Sequence, residues 1–309
     1  METQIKQEKE EVDLTRQVII PTHRDLVDSK KYKIPLLRYS PYAVFVKKID
    51  SKNKNRLMSH NQIKSNQDIF SDFVKDFKYD FLVDFQLANG TLLTNDDMQF
   101  IEKAQQIPGL KYMCLLEQFP NQTSQELDKQ IKDWKKRNPS KELIVVSEVY
   151  TRDMADKIAV AKRNGLKKYA IKFRNYRRYK SLFSKFLATI RALEMHSIVL
   201  GVNPTRWKAT NASMLLPPAY FKANAIASWI AWRGRATPLT LLCEDWIFKE
   251  VSKASQGMAR YSGKNRLQIV SNNKQFNTGF KRIDTINQAS MMLQKLKPLT
   301  KVQFERLLK

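Results

Sequence analysis

Cysteine occurs only twice in the 309 residues, at Cys114 and Cys243. That excludes a disulfide scaffold and every cysteine-rich zinc site. Histidine occurs three times, at His23, His60 and His196, so a three-histidine metal centre would need all of them to converge, and no nucleophilic triad can be assembled. Glycine is also sparse, at eight residues, and neither a GxGxxG nor a GxxxxGK phosphate cradle is present. No metal and no cofactor is implied. Long hydrophobic runs are missing as well. Residues 1–16, METQIKQEKEEVDLTR, are charged throughout and lack the apolar core of a signal peptide. The most apolar stretch, 213–232, contains Pro217, Pro218 and Lys222, where a spanning helix of ~20 residues requires apolar side chains. The expectation is a soluble cytoplasmic protein without membrane association.

Acidic residues are scarce in one half only. Residues 1–160 hold 26 bases and 24 acids, whereas 161–309 hold 29 bases and 6 acids. Almost the whole net charge of +25 therefore lies in the second half. A surface built for solubility mixes both signs; a half this basic repels itself unless a polyanion neutralises it. The densest segment, 167–180 (KKYAIKFRNYRRYK), packs seven bases and four aromatics into fourteen residues. Arg and Lys suit phosphates, and Tyr and Phe suit unstacked bases. The partner this predicts is nucleic acid, either tRNA or DNA. Within the segment, Tyr169, Ile171 and Phe173 alternate as the buried face of a strand, and 175–180 reads as an exposed loop after it.

Eight short apolar runs read as strands: 42–46, 81–85, 112–117, 143–148, 169–173, 198–202, 225–230 and 239–244. Near-continuous hydrophobicity suits strands covered on both faces, as in a parallel sheet. Helical patterns lie between them. One follows Asn95 and stops at Pro108-Gly109. Another follows Thr123 or Ser124 with Leu127, Ile131 and Trp134 as its stripe, a third follows Asp153 and ends at Gly165, and a fourth begins at Ser181. A shorter amphipathic piece covers 68–77. From the second to the sixth run, strand starts fall 26 to 31 residues apart, the length of a βα unit. The fold predicted is an α/β (βα)8 TIM-like barrel over 42–256. It is irregular at its last two strands, because too few residues separate 230 from 239 for a helix. A charged N-terminal arm (1–41, with a short strand at 18–20) and a basic helical C-terminal extension (257–309) flank it, with weak helical patterns at 285–296 and 300–308. An open doubly wound sheet is the alternative, disfavoured by the lack of a Gly-rich first turn.

Function in such barrels gathers at the carboxyl ends of the strands. Those positions hold Asp84, Glu117, Glu148, Lys172, Arg174, Asn203, Arg206, Arg233, Glu244 and Asp245. With nucleophilic thiols and triads set aside, carboxylate chemistry remains, and Asp84, Glu148 and Asp245 are the catalytic candidates. Each is also an ordinary partner for a neighbouring strand's Lys or Arg. The nucleic-acid-binding candidates are Lys172, Arg174, Tyr176, Arg177 and Arg178, then Arg206 and Trp207 of GVNPTRW, and Arg233 and Arg235 of SWIAWRGR. Arg beside Trp in an irregular loop can clamp a phosphate and stack a base. Equally, Trp207 can anchor its loop in the core.

VDFQLANG (83–90) is similar to the strand-end Asp motif of the tRNA-guanine transglycosylase superfamily, and NAIASWIAWRGR (224–235) resembles a late-strand segment of its DNA-modifying branch. The resemblance implies a barrel that exchanges guanine for a 7-deazaguanine, with Asp84 as the base-contacting or acid/base carboxylate. Two departures stand beside it. The position of the nucleophilic Asp holds Asn224 or Ala225, and the family's zinc site is absent. The readings left open are a base-exchanging transferase acting on tRNA or DNA, a non-catalytic nucleic-acid-binding or scaffold subunit with a degenerate site, and an enzyme for a small anionic substrate.

Overall fold

The structure, a computed structural model, describes residues 18–32, 40–49, 60–87, 93–117, 122–149, 153–173, 176–202, 216–228, 240–242, 259–261, 266–269 and 300–308. Strand and helix alternate through most of them. The strands are β1 (Val18–Ile20), β2 (Tyr42–Ile49), β3 (Asp80–Leu87), β4 (Tyr112–Leu116), β5 (Glu142–Glu148), β6 (Lys168–Lys172), β7 (His196–Val202) and β8 (Ala225–Ser228). The helices are α1 (His23–Tyr32), α2 (His60–Asp76), α3 (Asn95–Ala104), α4 (Ser124–Arg137), α5 (Met154–Arg163), α6 (Tyr176–Ala192) and α7 (Leu216–Tyr220).

Local chemistry accounts for the helix starts. Thr94 accepts from the Asp97 backbone N–H while the Asp97 carboxylate accepts from the Thr94 N–H, and Thr123 and Glu126 form the same reciprocal box before α4. The apolar stripe of α4 is buried, with Leu127 and Ile131 at 0% exposure and Trp134 at 2%. Gly109, at φ +77°, turns the chain towards β4, and a side chain there would strike Val74.

Six strands form one parallel sheet in the order β1-β8-β7-β6-β5-β4. β2 and β3 pair in parallel over eight residue pairs. At one side of this pair, the Val44 N–H donates to the Pro21 carbonyl at 2.9 Å and Thr22 bridges Val44. At the other, β3 runs beside β4. There Gln105 supplies hydrogen bonds to β4: its side-chain amide accepts from the Cys114 N–H at 2.7 Å and donates to the Cys114 carbonyl at 2.9 Å.

The parallel array curls strongly. Lys172 of β6 reaches Asp84 of β3, and the ring of Tyr42 of β2 lies 5.7 Å from that of His196 of β7. Each pair is three places apart along the order, which in a flat sheet is about 14 Å at ~4.8 Å per strand.

Three expectations are corrected. Val18–Ile20, assigned to a charged arm, pairs in parallel with β8 and is buried at 7%, 4% and 0% exposure. The run at 239–244 supplies β9 (Thr240–Leu242), which belongs to a separate antiparallel sheet with β10 (Ala259–Tyr261) and β11 (Arg266–Ile269). The short connection from β8 is the reason, since a parallel neighbour requires a crossover of a dozen or more residues. The amphipathic piece at 68–77 is the second half of α2, which starts at His60. In the C-terminal extension, α8 (Lys301–Leu308) is a helix, whereas 285–296 lies outside the described residues.

Candidate functional site

Asp84, expected at the end of its strand, lies three residues inside the carboxyl end of β3, where it meets Lys172, the last residue of β6, with Glu148, the last residue of β5, next to Lys172 in the ladder. Glu148 and Lys172 are ladder partners, so their side chains leave the sheet on one face. Lys172 Nζ lies 3.3 Å from Asp84 Oδ1, with the side chains 6% and 2% exposed, and it also donates to the Phe85 carbonyl. A buried ammonium thus meets two oxygens of β3 from across the array, with half-buried Glu148 beside it. Cys114 lies behind this pair. Burial pushes its thiol up to about 12, so at neutral pH it is a packed thiol and not a nucleophile.

Glu117 turns away from this cluster. Its carboxylate pairs with Lys157 of α5, with both side chains at 2% exposure or less. Beside it, Tyr169 shares a 2.7 Å hydrogen bond with the Ser147 hydroxyl and lies 3.7 Å from the Met154 sulfur. Burial, with the Glu117 charge adding to it, raises the Tyr169 phenol and keeps it protonated. Glu117 therefore braces the sheet against α5, although the sequence marks it, like Asp84, as a carboxylate closing an apolar run.

The remaining candidates divide by place. Tyr176, Arg177 and Arg178 form the first turn of α6, where a loop was expected; their side chains fall outside the described set. The helix is kinked at Tyr179 (φ −118°, ψ 24°) and has no acid in its first turn. Basic residues there oppose the helix dipole, which is why the segment reads as loop. The helix follows from the buried stripe of Phe183, Phe186, Leu187 and Ile190 downstream. Arg174, Asn203, Arg206, Trp207, Arg233, Arg235, Glu244 and Asp245 lie outside the described residues.

Asn224 and Ala225 stand at the amino end of β8, the opposite end from Asp84. Asn224 Oδ1 accepts from the Ser197 N–H at 2.9 Å and from its hydroxyl at 2.8 Å, tying β7 to β8. The place of a strand-end nucleophile on β8 is thus at or beyond Ser228, not at these two residues.

A second polar cluster, unanticipated from the sequence, gathers the first residues of β2 to β7. Lys168 Nζ is 4.7 Å above the Tyr112 ring and 3.4 Å from Glu142, and Lys111 approaches the same ring and the same carboxylate. His196 is 5% exposed and neither ring nitrogen has a hydrogen-bond partner. Burial first, then the Lys168 charge, holds its pKa down to about 4. The only sequence signal was position: each residue opens its strand. Polar residues at the amino face of a βα array serve stability, while the carboxyl face carries chemistry.

Comparison of the chain with known protein families and with curated proteins gives no match. Among the described residues, no group of three or more His, Cys, Asp or Glu could hold a metal, and no helix is long and apolar enough to cross a membrane. What the carboxyl-end cluster offers is carboxylates able to move a proton or attack an electrophilic carbon, beside an ammonium that balances charge.

Proposed function

We propose that this chain is a nucleic-acid-binding βα barrel that acts on a base, with guanine exchange in tRNA or DNA as the reaction and Asp84 as its acid–base or nucleophilic group. One observation carries the reading. Strand β6 delivers Lys172 to the Asp84–Glu148 cluster and runs within three residues into the basic first turn of α6. Carboxylate chemistry and polyanion binding are thereby joined at one end of the sheet. The excess of 29 bases over 6 acids in residues 161–309 supports the polyanion. The contacts across the array, Lys172 with Asp84 and Tyr42 with His196, support β1 to β8 as one ring. In this reading the barrel starts at β1, and residues 257–309 are a basic extension.

A second reading, a non-catalytic binding module, is favoured by the engagement of Asp84 with Lys172 at 2% exposure. Paired variants separate the two. Asp84→Asn leaves a buried ammonium short of a counter-charge and is expected to cost ~3–5 kcal/mol, whereas removing both charges in Asp84→Asn/Lys172→Met recovers most of that. The measurements are thermal midpoint, salt-dependent binding to labelled oligonucleotides, and incorporation of labelled guanine. A double variant that folds and binds like the parent but exchanges nothing assigns the chemistry to Asp84. Parental exchange in that variant removes Asp84 from the mechanism. Steep salt-dependent binding without exchange in the parent selects the binding module, and absence of such binding discards nucleic acid altogether.

A further inference from the structure

The C-terminal helix returns to the start of α6, and its attachment is specific. Phe304 is 1% exposed. Its ring stacks on Tyr220 at 3.8 Å and 7° and meets Phe221 edge-on at 5.3 Å. Lys180 Nζ sits 5.6 Å over the same ring and 3.6 Å from Glu305. From Phe221 the contacts continue through Phe183, at 6.1 Å, to Phe173, at 5.2 Å, and Phe173 directly follows Lys172. A continuous chain of rings therefore links α8 to the carboxyl end of β6. The outer side of the joint is basic: Lys180 is 39% exposed at its side chain, Lys301 is exposed, and the acid among them, Glu305, is spent on Lys180.

We propose that α8 completes the nucleic-acid face. Phe304 is a positioning residue: seated on Tyr220 and Phe221, it sets α8 against α6, so that Lys180 and Lys301 both meet a phosphodiester backbone. The partner chemistry follows from charge. Exposed Lys301 and half-buried Lys180 flank a joint whose acid is already neutralised, and Lys180 follows the basic first turn of α6 in the same helix. Glu305 acts as a brake, because it holds Lys180 until phosphate displaces it. This inference rests on the nucleic-acid reading above.

The test uses the full chain and a labelled single-stranded oligonucleotide, with affinity measured across a potassium chloride series and thermal midpoints in parallel. Lys180→Ala/Lys301→Ala keeps the Phe304 seat on Tyr220 and Phe221 while losing the Lys180–Glu305 pair, and is expected to flatten the slope of log K against log salt by roughly 1.4, at ~0.7 per phosphate contact on a single strand. Phe304→Ala is expected to flatten it by a similar amount, and Phe304→Leu, which refills the seat, to restore most of it. Glu305→Gln moves the other way, tightening binding roughly two- to fivefold at low salt, the size of an exposed charge pair. A purely structural α8 would shift midpoints and leave slopes alone. A parent that binds with a slope unchanged in the lysine and Phe304→Ala variants overturns this inference alone. A parent without salt-dependent binding overturns the nucleic-acid reading and this inference with it.

Discussion

A neutral imidazole sealed beside a lysine is a proton site that only the unfolded chain can use. His196 faces Tyr42 from β2 and feels the charge of Lys168 from β6; Tyr112, Asp80 and Lys111 surround Tyr42, and Glu142 pairs with Lys168. Its pKa falls from 6.5 to about 4 on folding. The unfolded state therefore binds more protons as pH drops through this window, and the contribution present above 6.5 is lost progressively towards pH 4, about 3 kcal/mol in all. Asp80, raised by burial, works in the opposite sense, so the His196 share has to be isolated by substitution. The parent midpoint is expected to fall as pH is lowered from 7 to 4.5, and His196→Phe, which keeps a ring beside Tyr42, to remove that part of the decline. Parallel midpoint–pH curves for parent and variant would show that His196 takes up no proton on unfolding. None of this was legible in the sequence, where His196 is two residues ahead of an apolar run; its burial depends on Tyr42, 154 positions away.

Elements were legible where their chemistry is local. The apolar runs from β2 to β8 mark buried parallel strands, their spacing marks βα units, and the Thr123–Glu126 box marks the start of α4. What failed depended on partners. β1 was legible as a short strand, but its place beside β8 comes from a chain segment some 200 residues later. The run 239–244 looks like the others, but apolar character carries no information on strand direction. Asp84 was read from its position, whereas its lysine, 88 residues on, became visible only across the curled array. Glu117 had the same signal and proved to be a brace to α5. Gln105 is the clearest case of an element held by a side chain: it satisfies both backbone groups of Cys114 from the end of α3. Gln105→Met keeps the shape and leaves a buried N–H and carbonyl without partners, an expected loss of roughly 2–4 kcal/mol, to be read from urea midpoints. A loss below ~0.5 kcal/mol would show that β3 takes over those bonds.

On the scale of the whole molecule, charge and architecture are divided differently. The basic excess belongs to residues 161–309, and the long parallel ladders run from β4 to β8. β2 and β3 are bound tightly to each other but joined to their neighbours by little backbone bonding: the Thr22–Val44 bridge and the Val44–Pro21 hydrogen bond lie on one side, and on the other Gln105 takes the Cys114 backbone groups of β4. Backbone amides protected only within such a pair are released together when the pair detaches. Hydrogen–deuterium exchange should therefore find 42–49 and 80–87 exchanging as one block, ahead of β5, β6 and β7. Asp84→Asn should hasten that block more than the rest. Uniform protection across all eight strands would show that they open only together. If the block exists, the Asp84–Lys172 ion pair has a second character. Asp84 rides on the detachable unit and Lys172 on the fixed sheet, so the bond between them is a latch, and any anion that competes for the Lys172 ammonium would loosen the wall to which Asp84 belongs.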